Sequence, residues 1–279
     1  MKFKLYRKYG AMNSGPVFDA FELGLKKLGH TIVDKEEDVA VIWSVLWHGR
    51  MFSNKSVYEQ CQAANIPVMI IEVGNLVRGL TWRVSLNNIN GLGEFGNQDE
   101  IDEARPQKLN IQLKPENTLR RKEILIASQH EKSLQWVGQP SMSVWVKNTV
   151  AEIRKYTDRL IVVRPHPRSP VVVNSPNVLV QYPRLVANTY DDFDIDYNYH
   201  CVVNFNSGPA VKASINGVPV ICDQTSLAGE LSNNFENIEN PIIPERSDWF
   251  KKLCHTEWLL SEMVDGIPQK RLVNILQKS

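Results

Sequence analysis

The sequence predicts an α/β protein with two Rossmann-like, doubly wound domains that face a cleft. Short apolar runs alternate with amphipathic segments of helical period throughout the chain. Several runs are apolar at nearly every position, which is typical of strands buried on both faces of a parallel sheet. The tetrapeptide Asn-Ser-Gly-Pro also occurs twice, at 13–16 and 206–209, each time between a predicted strand and a predicted helix. A strand-to-helix turn in each half therefore indicates two similar domains.

Composition and charge set the broad class of the protein. Of the 279 residues, 43% are hydrophobic and 23% are charged, which is typical of globular chains. The formal net charge is +1, so bulk charge does not indicate nucleic-acid binding. The four cysteines form no CxxC pair, and no apolar run approaches the ~20 residues of a membrane span. We expect a cytoplasmic protein without a signal peptide or a membrane span.

The first half begins with alternating strands and helices. Pro16 suits a first helical turn, and Gly29 is a good residue just beyond a helix end, so a helix is predicted between them. A second helix is predicted around Val57–Ala64. Strands are predicted at Phe3–Tyr6, Thr31–Val33, Val39–Val45 and Ile66–Val73.

A long Gly- and Asn-rich segment, Gly74–Pro115, then interrupts the pattern. We predict a functional loop or linker there, with one strand at Trp82–Leu86. The domain junction is placed near Lys114–Arg121, which gives an N-terminal domain of residues 1–118 and a C-terminal domain of residues 119–279.

The second half restarts the alternation. Strands are predicted at Glu123–Ala127, Arg159–Val163, Val178–Tyr182, Cys201–Phe205 and Val218–Cys222. Helices are predicted at Val144–Tyr156 and Pro209–Asn216, and one or two more over Trp249–Leu276. The unit from Cys201 to Cys222 has the size of a βαβ crossover, which places the start of its helix at the carboxyl edge of a sheet.

Two segments of the second half are candidates for binding phosphate. Arg164, His166 and Arg168 follow a predicted central strand, and arginine forks suit phosphate oxygens. Asn206, Ser207 and Gly208 form a turn before a helix, where backbone N–H groups and the helix dipole attract anions. Lys212 and Glu230 are candidates for contacts with the ribose or sugar hydroxyls. The alternatives are a solvated loop, an ordinary helix cap and plain surface charges.

The first half offers candidates for a base and for acceptor binding. Glu72 ends a buried strand, where a general base would sit, and a structural ion pair is the equal alternative. Asp19 in the first helix is a competing base, with a helix-dipole partner as the favoured alternative. His166 is the third catalytic candidate. The residues expected to face the acceptor are His48, Arg78, Trp82 and Asn90.

Several common motifs are missing from the sequence. The letters GxGxxG occur once, at 91–96, inside the long loop and before a polar run that is a poor helix start, so we interpret them as a chance match. The sequence contains no GxxxxGK[ST] loop, no HExxH and no GxSxG, and its six histidines have no metal-ligand spacing. These absences argue against hydride transfer and P-loop ATP hydrolysis, and we expect no metal site.

The second half resembles the nucleotide-sugar domain of GT-B glycosyltransferases, and capsule-polysaccharide and Kdo-type transferases in particular. The resemblance covers about 123–231 and rests on Ile161–Arg168, Val202–Ala213 and Gly217–Ile221: a strand ending in His-Pro, a Ser turn, a small-residue helix and Gly-x-Pro-Val-Ile. One position differs, because Lys212-Ala213 stands where these families usually have Glu-Ala. The Lys puts the usual ribose contact in doubt.

The resemblance implies transfer of a sugar from a nucleotide sugar to a hydroxyl group without a metal and without a cofactor beyond this co-substrate. The C-terminal domain would bind the nucleotide sugar, and the N-terminal domain would bind the acceptor. Arg164, His166, Arg168 and the Ser207–Gly208 amides would neutralise the leaving phosphate, and Glu72 would deprotonate the acceptor if the reaction inverts. In the first half, the stretch Glu72–Gly96, with Arg78, Trp82 and Asn90-Gly91-Leu92-Gly93, resembles segments of bacteriophage-encoded proteins of this shape. Phage glycosyltransferases that modify hydroxymethylated pyrimidines share the GT-B architecture, so the resemblance implies hydroxymethylated pyrimidine in double-stranded DNA as one acceptor to consider. The alternatives are a capsule or cell-surface polysaccharide transferase, a sugar-nucleotide epimerase of the same fold and a non-catalytic binding protein.

Overall fold

A computed structural model describes residues 1–97, 100–187 and 193–278, and these divide into two compact units. Unit 1 comprises Met1–Ile111, Lys132–Leu134 and Lys251–Ser279, and unit 2 comprises Gln112–Glu131 and Gln135–Phe250. The sequence assigns all of 119–279 to the second domain, whereas the structure returns the last segment to unit 1. The reason is burial, because Trp258, Met263 and Leu272 complete the core of unit 1.

Unit 1 is built on a six-stranded sheet. Its elements up to the junction are β1 Lys2–Leu5, α1 Gly15–Lys27, β2 Thr31–Ile32, β3 Val39–Trp43, α2 Ser53–Ala63, β4 Val68–Val73, β5 Thr81–Leu86 and α3 Arg105–Lys108. The strands β2, β1, β3 and β4 are parallel neighbours, and β5 pairs with β4 in the antiparallel direction. β1 and β3 therefore lie at the point where the strand order reverses.

Unit 2 contains a five-stranded, fully parallel sheet. Its elements are β6 Ile124–Ala127, α4 Met142–Ile153, β7 Ile161–Arg164, β8 Val178–Val180, β9 Cys201–Val203, α5 Gly208–Ile215 and β10 Val220–Ile221. The order across the sheet is β10-β9-β6-β7-β8. The order reverses between β6 and β9, which is where ligands bind in sheets of this type.

The chain leaves unit 2 along α6 Ser247–Cys254 and finishes in unit 1 with β11 Glu257–Leu259, α7 Leu260–Val264 and α8 Ile267–Leu276. The sequence predicts only helices over this tail, so β11 is a strand that the prediction missed. β11 has three residues and pairs with β5, a partner more than 170 positions away, so local periodicity carries no sign of it.

Apolar side chains cover both faces of the sheet in unit 1, as expected for a doubly wound domain. One face packs under α1 and the tail helices and contains Val41, Trp43 and Ile71. The other packs under α2 and contains Ile42 and Ile70. In unit 2, β6, β7 and β9 pack against α4. Within the described residues, no helix is long and apolar enough to cross a bilayer.

Gly217 joins α5 to β10 and is the position in unit 2 where a side chain fits least. Its φ is +73°, and a Cβ there would lie 1.9 Å from the Pro115 carbonyl oxygen. We expect Gly217→Ala to destabilise the protein by about 3 kcal/mol or more, because a left-handed strain and a backbone clash combine. The matched control is Gly138→Ala, which has a φ of +79° and open space around it. The control should cost only about 1–2 kcal/mol, and equal urea midpoints for the two variants would contradict the prediction.

Candidate functional site

The carboxyl edge of the unit 2 sheet gathers polar residues from three neighbouring strands. Ser128, Gln129 and His130 follow β6, His166 follows β7, and Asn206 follows β9. All but His166 are buried, and His166 is half-buried. Because the three strands are parallel, their carboxyl ends meet at one edge, so this position is set by topology.

The segment after β6 contacts both of the turns that the sequence predicts to bind phosphate. These are the turn at His166 and the turn at Asn206–Gly208, which we call the two corners of this edge. The His166 amide donates to Ser128 Oγ at 3.1 Å, and the rings of His130 and His166 meet edge to face with centroids 5.1 Å apart. On the other side, Gln129 Nε2 donates to Asn206 Oδ1 at 3.1 Å, and the Asn206 amide donates to Gln129 Oε1 at 3.2 Å. The two corners are thus joined through the end of the central strand.

Hydrogen bonds from neighbouring residues fix the conformation of the turn before α5. Ser207 is the N-cap residue and its side chain makes no capping hydrogen bond. Its amide donates to Asn204 Oδ1 at 2.9 Å, and Asn204 Nδ2 donates to Ser207 Oγ at 3.0 Å. Asn206 Nδ2 donates to Thr225 Oγ1 at 2.9 Å, which fixes the turn from the side of β10. Gly208 is the first residue of the helix.

The neighbouring helix α4 is different at the same edge. The amide of Met142, its first residue, donates to Glu131 Oε2 at 2.9 Å, so a carboxylate of the chain already lies at that helix start. A carboxylate in this place satisfies the N–H groups and the dipole that would otherwise attract an anion. Of these two helix starts, the geometry therefore favours α5 as the anion site.

Arg164 lies largely inside unit 2. It is 7% exposed, its Nη2 donates to the Asp196 carbonyl oxygen at 2.7 Å, and its guanidinium lies against the rings of Tyr197 and Tyr199. Its Nη1 is buried and has no hydrogen-bond partner among the described residues. Arg164 is the last residue of β7, and its side chain follows the strand alternation, whereas His166 lies in the turn beyond the strand. Phosphate binding by Arg164 stays a prediction.

The other predicted donor residues lie on the surface of unit 2. Arg168 and Glu230 are exposed, and Lys212 is half-exposed on the second turn of α5. The Arg168 amide donates to His166 Nδ1 at 3.1 Å, which fixes the imidazole ring. A site role for these three side chains stays a prediction.

Three residues of this edge were missed in the sequence: Ser128, Gln129 and His130. The available signal was their position, since they directly follow the predicted strand Glu123–Ala127. The rule that polar residues after central strands face the ligand edge, applied to β6 as it was to β7 and β9, finds all three.

In unit 1, Glu72 lies at the carboxyl end of β4 next to the end of β3. Ser44 Oγ donates to its Oε2 at 2.6 Å and the Val73 amide to its Oε1 at 2.8 Å. Burial raises the pKa of the Glu72 carboxyl above its ordinary value, and the hydrogen bonds from Ser44 and Val73 and the charge of Arg83 oppose that rise. A half-buried carboxylate with a raised pKa has the properties of a general base.

Arg83, the charged neighbour of Glu72 on β5, is bound to a different carboxylate. Its Nη2 donates to Glu257 Oε1 at 3.0 Å, and Glu257 is fully buried. Glu257 also accepts from the amides of Asn75 and Leu76 at 2.7 and 2.8 Å, so it anchors the loop that follows β4. Glu257 was not among the predicted residues, because β11 itself was not predicted.

The competing base Asp19 lies on the exposed side of α1. Its carboxylate accepts from Arg7 Nη1 at 2.7 Å, and its side chain is 68% exposed. The same arginine binds Glu22 through Nη2 at 2.6 Å. Asp19 therefore belongs to an exposed ion-pair network, whereas the favoured alternative from the sequence was a partner of the helix dipole. A catalytic role for Asp19 stays a prediction.

Two of the predicted acceptor residues are held in the packing and turns of unit 1. Trp82 packs into the core on the α1 side of the sheet, whereas Glu72 lies with Ser44 on the α2 side. Asn90 is 2% exposed, and its Oδ1 accepts from the Leu92 amide at 3.0 Å, so it stabilises a turn. Arg78 and His48 are exposed, and an acceptor role for these two stays a prediction.

The two Asn-Ser-Gly-Pro tetrapeptides, at 13–16 and 206–209, adopt different conformations. Ser207 is extended at φ −106° and ψ −178°, whereas Ser14 is already helical at φ −76° and ψ −18°, and its Oγ donates to the Ala11 carbonyl oxygen at 2.7 Å. The repeated tetrapeptide marks a helix start in both units, as predicted, but it does not build the same turn twice.

Solved structures resemble this chain over nearly its whole length. The Thermosulfurimonas dismutans KpsC β Kdo 2,4 transferase is 10% identical, with 96% of this chain and 98% of that chain covered and a TM-score of 0.53. The β Kdo 2,7 transferase of the same organism is 13% identical, with coverages of 96% and 99% and a TM-score of 0.45. No family model matches the sequence, and no curated protein matches it. The first likeness confirms the predicted fold class, two Rossmann-like domains of GT-B type, and at this identity it shows the fold alone.

Proposed function

We propose that this protein is a glycosyltransferase that moves a sugar from a nucleotide-sugar donor to a hydroxyl acceptor. The observation that carries the proposal is the edge of unit 2, where the uncapped start of α5 and the His166 turn are joined through Ser128–His130 at the reversal of the strand order. The neighbouring fold of a β Kdo transferase agrees with this class of reaction.

In this proposal, the donor's phosphate binds at the start of α5. The first-turn amides and the helix dipole attract its negative charge, and the half-buried His166 donates a further hydrogen bond. Gln129 and Asn206 hydrogen-bond to each other and so hold the turn in place. The proposal does not require either side chain to bind the donor. These groups neutralise the leaving phosphate in the way that electrostatic catalysis requires.

Glu72 of unit 1 is the proposed base in an inverting reaction. The acceptor hydroxyl gives its proton to the Glu72 carboxylate while its oxygen forms the new bond to the anomeric carbon. The bond between the anomeric carbon and the phosphate oxygen breaks, and its electron pair leaves with the nucleotide phosphate. No metal or oxidant is required for this balance.

A saccharide hydroxyl is the acceptor that we propose. The DNA acceptor implied by the sequence resemblance would need a basic groove in unit 1, formed by residues such as Lys4 and Arg7. Lys4 lies 3.9 Å from Glu37, and Arg7 binds both Asp19 and Glu22. These carboxylates cancel the charge that would otherwise attract a phosphate backbone.

The test is a panel of nucleotide sugars, with uridine, cytidine, guanosine and thymidine bases, in a thermal-shift assay. Binding of one donor at 100 times its Kd stabilises the folded protein by about 2.7 kcal/mol. The matching donor is then incubated with oligosaccharides and with hydroxymethylated DNA, and the product is analysed by mass spectrometry. A new glycosidic bond supports the proposal, conversion of the donor's sugar without an acceptor indicates an epimerase, and a panel in which no donor binds overturns it.

A further inference from the structure

The end of β3 contains a buried serine in a backbone conformation that serines rarely adopt. Ser44 has a φ of +64° and is 2% exposed. A non-glycine residue in the left-handed region costs about 1–3 kcal/mol, and such strained residues cluster at active sites and ligand-binding sites. β3 borders the reversal of the strand order in unit 1, which is the ligand edge of a sheet of this type.

The left-handed turn brings a hydroxyl donor to a carboxylate of the next strand. Ser44 Oγ donates to Glu72 Oε2 at 2.6 Å, and the Val73 amide donates to the other oxygen, Glu72 Oε1, at 2.8 Å. Ser44 itself is fixed, because its amide donates to the Ile71 carbonyl oxygen at 2.8 Å and its Oγ accepts from the Leu46 amide at 3.1 Å. The hydroxyl proton is therefore directed at Glu72.

We propose that Ser44 is a positioning residue, which uses its strained backbone and its hydroxyl to orient the Glu72 carboxylate and keep it ionised. This inference rests on the proposed role of Glu72 as base. The charged groups around that carboxylate are Arg83 on β5 and, bound to Arg83, Glu257 on β11. Neither donates a proton to Glu72 in the way that Ser44 does, so the hydroxyl is the group to remove.

The experiment compares Ser44→Ala with Ser44→Gly. Both remove the hydroxyl, but glycine adopts a positive φ without strain and alanine does not, so the two variants differ in stability for reasons unrelated to Glu72. A donor to the charged form lowers a carboxyl pKa, so its loss raises the pKa of Glu72. Since the base acts when ionised, the acidic limb of the kcat/KM profile should move upward by about 0.5 pH or more in both variants, and kcat should fall about tenfold.

Ser85→Ala is the matched control. Ser85 is a fully buried serine on β5, paired with Ile70 of β4, and its Oγ has no hydrogen-bond partner among the described residues. Its removal should leave the pH profile where it is. An unmoved acidic limb in both Ser44 variants overturns the positioning role.

A second readout separates this inference from the proposed function. The carboxyl titration of Glu72 is followed by NMR in protein labelled at the glutamate side chains, without substrate. An upward shift in both Ser44 variants supports the inference even if no transferase activity is found. An unchanged titration overturns it even if the enzyme is an active transferase.

Discussion

Replacing Glu72 with glutamine is expected to lower kcat for sugar transfer by about 10²–10⁴, the range that a general base contributes. The amide has the same shape and cannot take the acceptor proton. The glutamine oxygen can still accept the hydrogen bond from the Val73 amide, and its NH2 group can donate to Ser44 Oγ. The variant can therefore keep a hydrogen bond to each of the two partners of Glu72. Donor binding should not change, because the groups proposed to hold the donor, at the start of α5 and in the His166 turn, do not include Glu72. Single-turnover rates and donor titrations of the same sample measure both quantities.

Asp19→Asn is the matched control for this prediction. It is the same chemical change at the competing carboxylate, which lies in the exposed ion pair with Arg7. Exposed ion pairs contribute at most about 1 kcal/mol to stability, so the control should fold and turn over normally. A large loss of rate in Asp19→Asn with an intact rate in Glu72→Gln would reverse the assignment of the base.

The same assignment predicts the pH dependence of the wild-type rate. Glu72 must be ionised to accept a proton, and burial raises the pKa of its carboxyl. Activity should therefore be absent at low pH and appear as the pH rises through a midpoint above the ordinary glutamate value of about 4.3. In Glu72→Gln, the residual rate should lose this acidic limb.

Placing a negative charge at the start of α5 is expected to weaken nucleotide-sugar binding by at least about 30-fold. Ser207→Asp introduces a carboxylate at the N-cap, where aspartate is a preferred residue, so the helix itself should not be weakened. The same carboxylate occupies the place proposed for the donor phosphate and repels it. Two like charges brought together in a binding site cost several kcal/mol. Because 1.4 kcal/mol corresponds to about tenfold in affinity, a loss of at least about 30-fold is expected.

Ser141→Asp is the matched control at the neighbouring helix. Ser141 is the exposed N-cap of α4, its side chain also makes no capping hydrogen bond, and Glu131 already lies at that helix start. The substitution is chemically identical and should leave the donor Kd within about twofold of wild type, as expected for a surface change away from the ligand. Equal losses in the two variants would place the phosphate elsewhere.

Much of the fold could be predicted from local sequence. The buried parallel strands β4 and β9 are apolar runs, and α1 and α5 begin at Gly-Pro after a serine, so period and cap residues together indicate each element. The region around Ser207 was found for the same reason, since a turn between a strand and a helix marks the edge where ligands bind. These signals are local because each depends on residues a few positions apart.

The surroundings of two predicted site residues depend on contacts between distant parts of the chain. Arg164 Nη2 donates to the Asp196 carbonyl oxygen, 32 residues later. Trp82, predicted to face the acceptor, lies on the face of the sheet opposite to the proposed base Glu72. Neither outcome can be derived from spacing along the chain, because it follows from the register between strands and from what packs on each face.

By itself, the sequence determined the class of fold and the order of most of its strands and helices, β11 excepted, and it located the start of α5 after a central strand. Only the tertiary structure decided that Ser128–His130 joins the two corners of that edge, that Glu257 binds Arg83, and that Ser44 faces Glu72. The physical reason is range. Secondary structure follows from periodicity and caps over a few residues, whereas the protonation and orientation of a side chain are set by neighbours that folding brings from elsewhere in the chain.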